Sequence, residues 1–340
     1  MSVRATAPLR LDFAGGWTDV PEFADREGGV VVAAAISLSV RVDFLLGGDK
    51  IKFAAEDLDV RRTFASAGAI EYDGTLDLHK AALNMLPVTG GIEILSRSDA
   101  PDGSGLGASG ALDVALLAGL ARCRQEQPAR EETAELGFQL ETQILGLAGG
   151  RQDQLCAALG GFHEFRFSAG GVEARRLEVD AEISRDLGEH MVLVYSGHSH
   201  FSSATHECVW REFAAGDPVV TDALLRLRDG APRASEALLA CDWRALGAVI
   251  DENWRQQQRL HTTIATDRSR RIEEAAKGAG AWGVKATGAG AGGCLVVLAP
   301  AERRSDVIDA LRGEGGEILP AGFAEAGVTV EELSDAAADG

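Results

Sequence analysis

Hydrophobic and polar positions fall into two regimes along the chain. In the first half, "RATAPLRLDF" and "GGVVVAAAISLSVRVDFLL" are rich in β-branched residues with partial alternation, as are "KIKFAAED" and "GGIEILSRS". That pattern predicts strands. "LDLHKAALNML" predicts a short helix, "ALDVALLAGLARCRQ" a buried helix ending near Pro128, and "REETAELGFQLETQILGL" a second helix. "GGFHEFRF" and "VEARRLEVD" predict a pair of strands. "HMVLVYSG" then predicts a strand, and from about 203 to 280 the pattern is mostly helical, in "VVTDALLRLRDG", "ASEALLACDWRALGAVIDENW" and "RSRRIEEAAKGAG". Two strands ("WGVKATG", "CLVVLAP"), a helix ("AERRSDVIDALRG") and a strand near "GVTVEEL" follow. The change of character near 180–190 predicts two domains, 1–187 and 188–340. The acidic tail "SDAAADG" reads as frayed.

Composition changes this picture little. With 46% hydrophobic and 25% charged residues among 340, the chain can build cores in about two domains. The net charge of −19 argues against nucleic acid as a partner, since no strongly basic surface is available to release counterions. It still leaves room for a locally positive pocket. The five cysteines are scattered, with no C-x-x-C pair, and read as reduced core residues. The N-terminal "MSVRATAPLRLDF" lacks the apolar run of a secretory signal, and no run reaches the ~18 residues of a membrane span. The expectation is a soluble, cytoplasmic protein without a membrane partner, as a monomer or homodimer.

Chemistry enters with two glycine clusters. "GSGLGASG" (Gly103 to Gly110) contains G-x-G-x-x-G. A dinucleotide fold needs an acidic residue about 20 positions on, at a strand end; Glu131 and Glu132 instead follow Pro128 and start a helix. A Walker loop needs Gly-Lys, which does not occur. The loop retains the chemistry of an anion site: glycines that let N–H groups turn inward, and a helix N-terminus near Ser109. Alone, it is equally a tight turn with a serine cap. "TGAGAGG" (Thr287 to Gly293) precedes a strand and is alone equally a hairpin. Two such loops about 180 residues apart suggest two segments meeting at one ligand.

Two carboxylates add to this. Glu141 sits three after Phe138 and four before Leu145, in an apolar helical stripe, where a carboxylate is costly unless paired or metal-bound; exposure at a rim is the alternative. Asp153, twelve residues on in "GGRQDQ", is either a first-turn helix aspartate or a catalytic group.

"APLRLDFAGGWTDVPEF", "PDGSGLGASGAL" and "KATGAGAGGCLVVL" together resemble, in order and spacing, the three motifs of the GHMP kinase superfamily. Within it, "RLDFAGGWTDVPEF" and "ETQILGLAGGRQDQLCAALGGF" look most like the heptose 7-phosphate kinases and the fucokinases. The resemblance spans roughly residues 4 to 300. It implies an α+β fold of two parts, the first like ribosomal protein S5 domain 2, the second ferredoxin-like. It also implies ATP and Mg²⁺ as cofactors and a sugar or sugar phosphate as substrate.

The resemblance assigns roles. Gly103, Ser104, Gly105, Leu106, Gly107, Ala108 and Ser109, with Gly288 and Gly290, would hold ATP. Ser109 and Glu141 would hold Mg²⁺, for which oxygen donors suit a small hard ion. Asp153 would be the base, with Arg10 paired to it and facing the transferred phosphoryl group. Asp19, Gly16, Trp17 and Gly150 would contact the sugar. "GASGA" departs from the usual pair of serines in the second motif, but Ser109 is kept. His198, His200 and His206 read as surface or sugar-rim residues rather than zinc ligands, since no Cys or Asp arrangement completes a site. Arg151 is a weak partner for a substrate phosphate. The expected activity is phosphorylation of a sugar at the anomeric carbon, of a heptose 7-phosphate, with L-fucose or another hexose as alternative. A non-catalytic ATP- and sugar-binding regulator is the further alternative, against which Asp153, Arg10, Glu141 and Ser109 argue.

Overall fold

A computed structural model describes residues 2–197 and 203–333. Strand β1 (Ser2–Ala14) pairs antiparallel with the long β2 (Gly29–Leu46) along most of its length. The register slips twice, between Pro8 and Arg10 and between Asp12 and Ala14. Such bulges bend a strand and re-aim its side chains, and here they flank Arg10 and Asp12. β2 then serves two neighbours: its first half pairs with β6 (Phe162–Ser168), its second with β5 (Ile92–Ser98). β3 (Ile51–Ala55) runs parallel to β5 and carries β4 (Val60–Phe64), and β7 (Gly171–Leu177) extends β6. Residues 7–14 of β1 and 29–36 of β2 are buried on both faces, as α3 (Ala108–Cys123) and α5 (Gln152–Leu159), and also α8 (Pro218–Leu239) and α9 (Trp243–Leu260), pack against this pair of strands.

A second, antiparallel sheet has the order β11 (Glu317–Leu319), β8 (Met191–Tyr195), β10 (Cys294–Leu298), β9 (Gly283–Ala286). Its strands bury both faces, with alternate residues entering different cores. Cys294, Val296 and Leu298 join the core of the first sheet. Leu295 and Val297 join a second core with Trp17, Phe23, Trp210 and Trp254. That explains a strand that reads "CLVVL" rather than alternating. α10 (Asp267–Gly278) and α11 (Arg304–Gly313) pack on this sheet as well. The architecture is α+β with two sheets, as expected.

The division placed at 187/188 falls within α6 (Ala181–His190). β12 (Thr329–Leu333) lies beyond it and pairs with β1, from Ser2 opposite Leu333 to Thr6 opposite Thr329. The tail "SDAAADG" lies outside the described residues. Among the described residues no helix is long and apolar enough to cross a membrane.

Two helical details differ from the sequence pattern. α8 runs through Pro232, and the break comes later, at Cys241 (φ 53), where Asp242 caps α9 by accepting from the Ala245 N–H at 2.9 Å. The helix expected over 130–147 stops being α-helical after α4 (Arg130–Gln139), and Leu140–Ile144 forms a π-helical turn. π-turns of this kind are frequent at functional sites, and this one carries Glu141.

Candidate active site

The two glycine loops touch. Gly105, at φ 74, presses so close to the glycine loop of the third motif, Thr287 to Gly293 (the third loop below), that a Cβ there would lie 2.7 Å from the Thr287 carbonyl oxygen. Gly293, at φ 75, would likewise meet the Ser104 carbonyl oxygen at 2.6 Å. Only glycine tolerates both the left-handed backbone and the contact. The Cys294 N–H donates to the Ser104 carbonyl at 2.7 Å, pinning the loops together. Gly107 (φ 75) is the N-cap of α3, whose first free N–H groups and positive end lie at the same place.

Arg10 stands behind this loop. It is buried, donates from Nε to Asp153 Oδ1 at 2.8 Å and from Nη1 to the Gly105 carbonyl at 2.5 Å. Burial would lower its pKa, but the Asp153 and Asp12 charges overcome this and raise it. A Cβ on Gly107 would lie 3.1 Å from both Arg10 Cγ and Asp153 Cγ, so the first glycine loop and the ion pair are closely packed.

A cavity of about 410 Å³ opens here. Its wall contains Arg10, Trp17, Asp19, Gly103, Ser104, Gly105, Gly107, Ala108, Ser109, Glu141, Gly150, Asp153 and Gly288. Three residues expected at the site lie off the wall. Leu106 is a core residue that presents only its carbonyl to the Arg10 N–H, at 2.9 Å. Gly16 packs against the Asp12 carboxylate, and Gly290 against Ile264. Arg151 is also engaged elsewhere, with its guanidinium 4.0 Å over the Phe138 ring and 3.3 Å from Glu135.

Asp19 is fully buried and accepts from the Gln152 N–H at 3.1 Å and from Gln152 Nε2 at 3.2 Å. Burial lifts its pKa to about 6, with the Gln152 N–H opposing the rise. Gly150 is required beside it, because a Cβ would fall 1.8 Å from Asp19 Oδ2. Glu141 accepts from Gln154 Nε2 at 2.9 Å. Burial raises its pKa, while the adjoining Ser109 hydroxyl opposes the shift.

Several groups escaped the sequence reading. Asp113, one helical turn after Ser109, is fully buried and faces Glu141; burial first and the Glu141 charge second raise its pKa well above the carboxylate range. Glu141 and Gln154 are the polar side chains against its carboxyl. Lys285 Nζ lies 2.5 Å from Asp12 Oδ2 and 3.0 Å from the Asp12 carbonyl, with both side chains buried. Burial lowers the Lys285 pKa against the pull of Asp12. Asp12 Oδ1 also accepts from the Gly288 N–H at 3.3 Å. The pair thus fastens β1 to the third loop. Its one local signal was Asp12 standing two residues from Arg10 on a strand. His206 lies on the cavity wall, whereas His198 and His200 lie outside the described residues.

The GHMP kinases N terminal domain matches residues 74–161, across the first glycine loop, Glu141 and Asp153; the GHMP kinases C terminal domain matches 234–317, across the loop from Thr287 to Gly293. The chain belongs to the GHMP kinases. It is therefore a phosphotransferase that uses ATP. It is 29% identical to the D-glycero-alpha-D-manno-heptose 7-phosphate kinase of Campylobacter jejuni, over 96% of this chain and 98% of that protein. It is 27% identical to the bifunctional fucokinase/GDP-fucose pyrophosphorylase of Arabidopsis thaliana, over 86% of this chain but 29% of that protein. The crystal structure of a D-glycero-D-manno-heptose 1-phosphate kinase from Bacteriodes thetaiotaomicron superposes with a TM-score of 0.81 at 26% identity, covering 98% of this chain and 100% of that one.

Proposed function

We propose that this kinase phosphorylates the anomeric hydroxyl of a sugar, with a D-glycero-D-manno-heptose 7-phosphate as acceptor. The observation that carries the reading is the Arg10–Asp153 pair held against the glycine loop, in one cavity with the buried Asp19. The similarity to the heptose 7-phosphate kinase of Campylobacter jejuni supports that choice of acceptor.

In this reading the loop from Gly103 to Ser109 and the start of α3 bind the phosphates of ATP through backbone N–H groups. The acceptor hydroxyl oxygen bonds to the γ-phosphorus as the bridging P–O bond to ADP breaks. Its proton passes to Asp153, whose Oδ1 is fixed by Arg10, leaving the second oxygen for the acceptor. Arg10 also offsets charge on the transferred group. Asp19 and Gln152 position the sugar. Ser109 and Glu141 would hold Mg²⁺. The fit is supported by the donor set, a carboxylate and the adjoining Ser109 hydroxyl on one cavity wall, oxygen ligands of the kind a small hard cation takes. When bound, the ion neutralises charge on the phosphates. The division into an ATP-binding half, 1–187, and a second half, 188–340, is part of the same proposal.

One observation favours an unphosphorylated sugar such as L-fucose. Arg10 is the sole cation among the described residues of the cavity wall, and Asp153 and Gly105 already engage it. ADP release from Mg-ATP decides between them, with the heptose 7-phosphate, the heptose, L-fucose, galactose and mannose as acceptors. Release with one acceptor, reduced at least about 1000-fold in Asp153→Asn, is expected. Undiminished turnover by that variant refutes the assignment of the base.

A further inference from the structure

α7 (Ser203–Ala214) brings His206 into the cavity from the far side of the sequence. Its imidazole stacks on Trp17, ring centres 4.3 Å apart and planes 18° from parallel. Trp17 is firmly held. It sits at φ 80, a left-handed conformation that a bulky residue adopts only under constraint, and Trp210 packs on it at 5.8 Å. The stack therefore fixes the plane of the imidazole.

His206 Nδ1 is buried with no partner among the described residues, which leaves Nε2 as the ring nitrogen for the cavity. Burial pushes the imidazole pKa down to about 4, against the pull of the Asp153 charge. The ring is neutral near pH 7 and offers one hydrogen-bonding position rather than a charge. Beside it, the Gln152 side chain and the Asp19 carboxyl line the same cavity. Single donors and acceptors on an aromatic backing match the hydroxyls of a sugar ring, each of which gives and takes one hydrogen bond.

We propose that His206 is a sugar-recognition residue that hydrogen-bonds one acceptor hydroxyl through Nε2 while Trp17 braces its ring. This rests on the sugar-kinase reading above. It adds a contact from the second half of the chain, in a role separate from proton transfer.

The test is steady-state kinetics of the full-length protein in both substrates. His206→Phe keeps an aromatic ring against Trp17 and removes the nitrogen. His206→Gln places an amide nitrogen near the Nε2 position and gives up the stack. The expected result for His206→Phe is an acceptor KM raised roughly 10- to 100-fold, with the KM for ATP unchanged. His206→Gln should recover most of the loss. One mono-deoxy acceptor should reproduce the loss in the wild-type protein and show no further loss in His206→Phe. An acceptor KM within twofold of wild type in His206→Phe overturns the proposal, as does an equal rise in both KM values. A wild-type protein that turns over no sugar or sugar phosphate sinks the sugar-kinase reading itself, before either variant is reached, and His206 falls with it. A thermal melt of each variant separates lost recognition from lost folding.

Discussion

Removing one partner of the Asp12–Lys285 pair tests whether it fastens the two glycine loops. In Lys285→Met the Asp12 carboxylate, 1% exposed, keeps only the Gly288 N–H at 3.3 Å as a side-chain partner. Breaking a buried ion pair from one side costs about 3–5 kcal/mol. At about 2.1 cal/mol/K per residue, 340 residues unfold with roughly 0.7 kcal/mol per degree. The expected fall in Tm is therefore roughly 4–7 °C. Asp12→Asn costs less, about 1–3 kcal/mol, because the amide still accepts from Lys285 and the buried amine, its pKa already lowered, can shed its proton.

The Asp12→Asn variant also responds to pH. Burial without a carboxylate partner means that the unfolded state holds the Lys285 proton more tightly than the folded state. Its stability deficit relative to wild type thus shrinks as pH rises from 7 towards 10. Thermal melts of both variants and the double variant at pH 5, 7 and 9 read this out. Equal deficits without pH dependence, or a Lys285→Met fall of under about 1 °C, would refute the reasoning.

Asp19→Asn should be more stable than wild type at pH 8, since it removes a charge that burial disfavours. A rise from 3.8 to about 6 sets an upper limit of about 3 kcal/mol. Folded-state pKa lies above unfolded here, so this wild-type penalty grows as pH rises from about 4 through about 6. The variant's gain in Tm should be present at pH 8 and absent at pH 4; a gain at both, or at neither, contradicts the account. Its acceptor KM should rise; the wild-type acceptor KM should climb as Asp19 protonates below pH about 6, and that of the variant should not. Gly105→Ala forces a methyl to within 2.7 Å of the Thr287 carbonyl, and its ATP KM should rise at least about 10-fold while the acceptor KM holds. Gly48→Ala, at φ 76 with open space around it, isolates the backbone cost of about 1–2 kcal/mol, and its ATP KM should not move.

What the sequence revealed was local. Strands with β-branched alternation and the two glycine clusters could be read directly, because left-handed backbone and close approach both select glycine. Arg10 and Asp153 were found through the resemblance of whole motifs. The missed features depend on tertiary placement. Asp12 and Lys285 lie 273 positions apart, and no periodicity names a partner at that distance. The helical pattern was read in two stretches separated at 231–233, yet α8 continues through Pro232 and ends where Cys241 turns left-handed. Three histidines in one short stretch looked alike; the rotation of α7 against Trp17 puts His206 inside. The π-turn at Glu141 has no compositional mark at all.

The return of β12 to the edge of β1 bears on how the chain is made. The strand that covers the outer edge of β1 leaves the ribosome some 315 residues after it, counting from Ala14 to Thr329. At about 5–20 residues per second, that edge stands open for tens of seconds. An open edge invites pairing with other chains. Arg4, held against Asp43 at 2.6 Å, places charge in the middle of the uncovered segment. Charge there works as a gatekeeper during synthesis, and Arg122 of α3 later clasps Glu332 to seal the seam. Fragments cut between the two sheets would keep that edge permanently bare.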